Sequence, residues 1–128
     1  MKVITFGTFD LYHIGHVNLL ERASKHGKII VGLSSDDFNL KKKGRLPIYN
    51  YEMRKQILEN NKHVLEVFKE ESMEKKREYI LKYKADILIM GNDWEGKFDY
   101  LNDICKVIYL TRTDNISTTD IIKKILET

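Results

Sequence analysis

Two histidines, His13 and His16, close the stretch Gly7-Thr8-Phe9-Asp10-Leu11-Tyr12-His13-Ile14-Gly15-His16. If a helix begins at this point, the three-residue spacing puts both rings on one side of its first turn. They then sit beside unpaired backbone N–H groups and the positive end of the helix dipole. Such a place suits a phosphate. Gly7 would permit a tight turn, and Gly15 would let another group approach the backbone. Zinc is the rival chemistry for a His-x-x-His pair, but two histidines fall short of its usual ligand count and the lone cysteine, Cys105, is far off in sequence.

A second constellation is Arg112-Thr113-Asp114-Asn115-Ile116-Ser117-Thr118-Thr119-Asp120, where Ser117 and Asp120 have the spacing of a capping box. A capped helix explains one hydroxyl. The surplus of hydroxyls, together with an arginine whose planar fork matches phosphate oxygens, points to a second anion-binding terminus. Between the two lies Met90-Gly91-Asn92-Asp93-Trp94-Glu95-Gly96-Lys97-Phe98-Asp99, a polar loop holding the only tryptophan. Asp93 could accept from a ribose hydroxyl or an amine. The plainer reading is a strand-to-helix turn with Trp94 packed on the core.

These residues need a scaffold, and the pattern supplies one. Short apolar or β-branched runs at Lys2–Phe6, Lys28–Leu33, Val64–Phe68, Ile87–Met90 and Lys106–Leu110 have the length of buried strands. Helical spacing marks Ile14–His26, Tyr51–Asn60, Ser72–Tyr83 and Ser117–Leu126. Strict alternation predicts an α/β fold, an open parallel five-stranded sheet with helices on both faces. Its ligand belongs at the carboxyl ends of the strands, where the loops after the first and fourth strands meet. Ser35–Asn50, with Lys41, Lys42, Lys43, Gly44, Arg45 and the only proline, Pro47, reads as an irregular, mobile basic flap.

At 128 residues, 42% hydrophobic and 10% aromatic, the chain is sized for a single domain with a real core. Its net charge of +3 is too small an excess to imply nucleic acid. No apolar run approaches the roughly 20 residues that cross a bilayer. One cysteine and an N-terminus without signal-peptide character point to the cytoplasm.

Taken together, Gly7–His16 with its His-x-Gly-His ending, Tyr51-Glu52-Met53-Arg54-Lys55, Met90–Asp99 and the Arg-Thr-x-x-Ile-Ser-Thr-Thr segment Arg112–Thr119 resemble the glycerol-3-phosphate cytidylyltransferases of the bacterial teichoic-acid type, within the nucleotidylyltransferase superfamily. The resemblance runs over nearly the whole length. It implies a Rossmann-like domain over residues 1–128 that transfers CMP from CTP to a polyol phosphate, foremost glycerol 3-phosphate, for cell-surface polymer or capsule synthesis. It further implies Mg²⁺ carried mainly on the CTP phosphates, no metal ligands from the protein, and a homodimer. Carried over by residue, His13 and His16 would hold and neutralise the triphosphate, assisted by Thr8 and Lys42. Arg112, Thr113, Ile116, Ser117 and Thr118 would bind the nucleotide from the other terminus, with Gly7, Phe9, Gly15, Asp93 and Trp94 beside it. Asp10 and Lys62 fall on the acceptor side. The chain departs from the family in having Lys62 for an arginine, Met73 for a tryptophan, and a flap shifted by one residue around Gly44–Pro47.

Because the attacking oxygen would belong to a phosphate that is already an anion, the chemistry needs alignment and charge stabilisation rather than a general base. The alternatives are an ATP-dependent adenylyltransferase of the flavin or coenzyme A kind, and a catalytically silent nucleotide-binding module.

Overall fold

Successive strand residues point to opposite faces of a sheet, so a strand buried on both sides must be apolar at nearly every position. The sequences KVITF, KIIVGL and ILIM meet that demand, and the computed structural model, which describes residues 1–113 and 116–128, forms β1 (Lys2–Gly7), β2 (Lys28–Ser34) and β4 (Ile87–Gly91) from them. With β3 (Val64–Glu70) and β5 (Lys106–Leu110) they make one parallel sheet of order β3-β2-β1-β4-β5. The expected Rossmann-like α/β architecture is present.

Odd and even positions divide two cores. Val3, Ile29, Val31, Leu33, Ile87 and Ile89 face α1 (Ile14–Ser24) and α3 (Tyr51–Glu59), which contribute Leu20, Ala23 and Leu58. Ile4, Phe6, Ile30, Leu88 and Met90 face α4 (Lys76–Lys82) and the 98–105 segment, which contribute Ile80, Phe98, Leu101 and Cys105. Strand order reverses at β1, which has β2 on one side and β4 on the other, so the loops leaving β1 and β4 flank a crevice at the carboxyl edge.

Most elements differ from the expected bounds by a residue or two. The helix expected over Ser72–Tyr83 opens instead with a 3₁₀ turn, Met73–Lys75, before α4. Ser35–Asn50 is a larger correction, because half of it is a helix, α2 (Asp36–Lys43). Ser35 caps it by accepting from Phe38 N–H, acidic Asp36 and Asp37 occupy its first turn, and Lys41, Lys42 and Lys43 its last, all in accord with the helix dipole. The last helix, α5 (Thr118–Glu127), buries none of its side chains fully. Among the described residues no helix is long and apolar enough to cross a membrane.

Candidate active site

His13 is the N-cap residue of α1, and its Nδ1 accepts from the Gly15 N–H at 3.0 Å. The His16 Nδ1 reaches back to accept from the His13 N–H at 3.1 Å. Two orphan helix donors are thereby satisfied by two imidazoles, the work that Ser and Glu do in an ordinary capping box. The rings stack with centroids 3.8 Å apart. Gly15 is required by this packing, since a Cβ there would lie 2.8 Å from His13 Cε1. The group that approaches the Gly15 backbone is thus the histidine ring itself. Gly7 likewise makes room for a ring, that of Phe9, and the left-handed turns fall on Phe9 and Leu11 at φ 49° and 48°.

With each Nδ1 lone pair engaged by a backbone N–H, a neutral ring carries its proton on Nε2. Burial, and then the Arg112 charge, lowers His13 below the usual imidazole range. Burial, with the charges of His13 and Lys43, takes His16 down to about 3. In the ligand-free protein at neutral pH both rings are therefore uncharged Nε2–H donors. The two rings face the cavity as dipolar donors, and among the described residues the charged side chains that line it are Arg22, Lys43, Arg45 and Arg112 with Asp10 and Asp93.

From the far end of the chain, Ser117 caps α5 by accepting from the Asp120 N–H at 3.0 Å, one half of the expected box. Thr118 Oγ1 donates to the Asp10 carbonyl at 2.8 Å, and Asn18 Nδ2 on α1 donates to Thr113 Oγ1 at 3.0 Å. Arg22, also on α1, donates to the Thr111 carbonyl at 2.7 Å. These bonds join the chain after β5 to α1 and to the loop after β1. Asp114 and Asn115, within the predicted Arg112–Asp120 stretch, lie outside the described residues.

The result is a cavity of about 400 Å³ at the carboxyl edge, within the size range of small-molecule sites. His13 and His16 line it together with Gly7, Thr8, Phe9 and Gly15. Arg112, Thr113, Ile116, Ser117 and Thr118 line it from the opposite terminus, and Asp93 and Trp94 from the loop after β4. Trp94 also packs against Phe98 at 5.4 Å between centroids, as the plainer reading expected.

Three expected residues take different places. Asp10 lines the cavity but is buried, and its carboxylate accepts from the backbone N–H groups of Leu11, Ile48 and Tyr49. Its oxygens hold the chain after α2 rather than stand open for an acceptor. Lys42 does not line the cavity: its Nζ donates to Ser34 Oγ at 3.1 Å, and burial lowers it to about 8. Lys62 is exposed just before β3, at the amino end of the sheet, where it cannot reach a site at the carboxyl edge of the same chain.

Other residues carry no mark in the sequence. Asn39 accepts from Thr8 Oγ1 at 2.7 Å and donates to the Arg45 carbonyl at 3.1 Å, joining the phosphate loop to the basic segment. Lys43 and Arg45 face the cavity, and only their membership of the basic run hinted at it. Beneath Lys42, Glu70 and Lys76 form a buried ion pair at 2.6 Å, with Lys76 Nζ 4.5 Å from the Phe6 ring centroid and 3.1 Å from Met73 Sδ. Burial pushes Glu70 up and Lys76 down, and each partner opposes the other's shift.

Comparison with known proteins turns this geometry into a lineage. The cytidylyltransferase-like family matches residues 4–124, nearly the whole fold. The chain belongs to that family. A glycerol-3-phosphate cytidylyltransferase from Bacillus subtilis is 50% identical over 125 residues, covering 97% of this chain and 96% of that protein. One from Bacillus spizizenii is 54% identical over 123 residues, covering 95% of each. A lipopolysaccharide core biosynthesis protein from Thermoplasma volcanium superposes with a TM-score of 0.75 at 22% identity, over 89% of this chain and 98% of that one, a likeness of fold alone. The cytidylyltransferase-like chain thus brings its two histidines and its arginine-bearing helix start, from opposite ends of the sequence, to one cavity.

Proposed function

We propose that this cytidylyltransferase-like protein transfers CMP from CTP to glycerol 3-phosphate, giving CDP-glycerol and pyrophosphate. The observation that carries the reading is the convergence of His13 and His16 with Arg112 and Ser117 on one cavity, from opposite ends of the chain. Relatives of about half-identical sequence that bear this activity in their names set the base and the acceptor.

A phosphate oxygen of the acceptor attacks the α-phosphorus of CTP, the bond from that phosphorus to the bridging oxygen breaks, and pyrophosphate leaves with its electron pair. No proton has to be removed from the nucleophile. The task is to hold two anions in line and to stabilise the charge that grows on the leaving group. The Nε2–H groups of His13 and His16 and the Arg112 guanidinium do so from fixed positions. Donors that bind more strongly in the transition state than in the ground state raise turnover. Lys43 and Arg45 face the same space and suit the acceptor phosphate.

Mg²⁺ would arrive on the triphosphate. Among the described residues Asp10 already accepts three backbone bonds, which leaves Asp93 as the carboxylate facing the cavity, and one carboxylate with water and substrate phosphates is a set this ion commonly takes. Bound there, it supplies charge neutralisation at the phosphates.

The protein acts as a homodimer in the cytoplasm, supplying an activated glycerol phosphate for cell-surface polymer or capsule. Exposed Ile48, Tyr49 and Met53 beside a groove that Gln56, Ile57 and Asn60 continue support a self-association face. Incubation with Mg²⁺, CTP or ATP, and a panel of phosphorylated polyols, followed by pyrophosphate release, tests the reading. Release with CTP and glycerol 3-phosphate is expected; release with ATP and not CTP overturns it.

A further inference from the structure

Arg54, in the Tyr51–Lys55 stretch, does not itself line the cavity and has no role in the transfer as described. Its side chain is fully buried on α3. Nε–H donates to the Tyr49 carbonyl at 2.9 Å, and Nη1 to the carbonyls of Thr8 at 3.0 Å and Ser34 at 2.9 Å. Nη2 donates to Asp36 Oδ1 at 2.8 Å. A buried ion pair is a weak source of stability, because desolvation offsets the attraction, and Asp36 is itself 36% exposed. Fold stability therefore gives little reason for a charge at this point.

The four acceptors suggest a different reason, since each belongs to a segment that carries part of the site. Thr8 opens the loop to His13. The Ser34 hydroxyl accepts from Lys42. Asp36 is the first residue of α2, which holds Asn39, Lys42 and Lys43. Tyr49 belongs to the segment between α2 and α3 that Asp10 binds. One rigid guanidinium plane thus fixes the histidine loop relative to the basic helix, which are the two sides that must bring CTP and acceptor into line.

We propose that Arg54 is a positioning residue for the transfer, setting the separation between the triphosphate side and the acceptor side of the cleft. The proposal rests on the CMP-transfer reading. A lysine cannot substitute, because its three donors radiate from one point and cannot serve four acceptors in a plane.

Arg54→Lys keeps the charge and tests this at a temperature well below its melting midpoint. Misalignment of two bound reactants is expected to lower kcat on the order of 10–10²-fold, with the KM for CTP within about threefold of the parent. Amide exchange should rise at residues 7–10 and 36–43 and stay low in the rest of the sheet. A parental kcat, or a loss that only tracks missing CTP-binding sites while exchange rises throughout, overturns the proposal. If Arg54→Lys does not fold, Asp36→Asn leaves the arginine in place and weakens one anchor. About a fivefold loss of kcat is expected from a bond worth roughly 1 kcal/mol, and parental kcat overturns the proposal again. Should the parent release no pyrophosphate from CTP and glycerol 3-phosphate, the transfer reading fails by itself. Arg54 is then judged by exchange: a confined rise supports positioning, and a uniform rise overturns it.

Discussion

An imidazole whose Nδ1 accepts a backbone hydrogen bond has only one nitrogen left to offer a ligand, and it offers it as a donor. His13 and His16 are both in this state, so their capping role and their proposed catalytic role use opposite edges of the same rings. Replacing either by alanine removes both. Turnover should fall on the order of 10²–10³-fold for each, as when a preorganised donor to a developing anion is deleted. Steady-state pyrophosphate release by purified His13→Ala and His16→Ala measures it, and near-parental turnover in both would refute the assignment. The residue types and their spacing were readable from the chain alone, because helix-start chemistry is local. The neutral state was not, since it depends on burial and on charges brought in from Arg112 and Lys43.

At the scale of elements, strands and helices were legible wherever an apolar period ran uninterrupted, as in β1, β2, β4 and α1. α2 escaped because Phe38 is its one buried apolar residue and Leu40 stays exposed, so no apolar stripe marks it; the cap and charge gradient that do mark it were hidden in a run that read as basic. Arg54, Glu70 and Lys76 escaped for a related reason. A charged residue on a helix or at a strand end reads as solvated, and only the packing of other elements over it makes it buried. α5 presents the converse case: its amphipathic pattern was plain, yet the finished helix has no fully buried side chain and is tied at its start by the Thr118–Asp10 bond. Thr118→Val keeps the shape and deletes that bond, costing about 1 kcal/mol locally. Faster amide exchange over 118–127 with a parental melting temperature is expected, along with weaker CTP binding in calorimetry. Unchanged exchange in α5 would show that the tether is idle.

For the whole molecule, the buried histidine makes stability a function of pH. Unfolded, His16 titrates at its ordinary 6.5; folded, it is held down to about 3, chiefly by burial. Between these values the unfolded chain binds the extra proton, so stability rises with pH across the interval. The contribution is complete above pH 6.5 and drains away as pH falls toward 3, by at most about 1.4 kcal/mol per unit. His16→Gln isolates it, because a glutamine at the third helical position can still accept from the His13 N–H as in an ordinary capping box. Urea unfolding of the parent and of His16→Gln at pH 6.5, 5.5 and 4.5 should give a steeper loss for the parent, the two curves separating as pH falls. Groups that do not contact His16, Glu70 among them, titrate in both proteins and cancel in the difference. Parallel curves would mean that His16 titrates in the folded chain as it does in the unfolded one, and that burial does not hold the ring neutral.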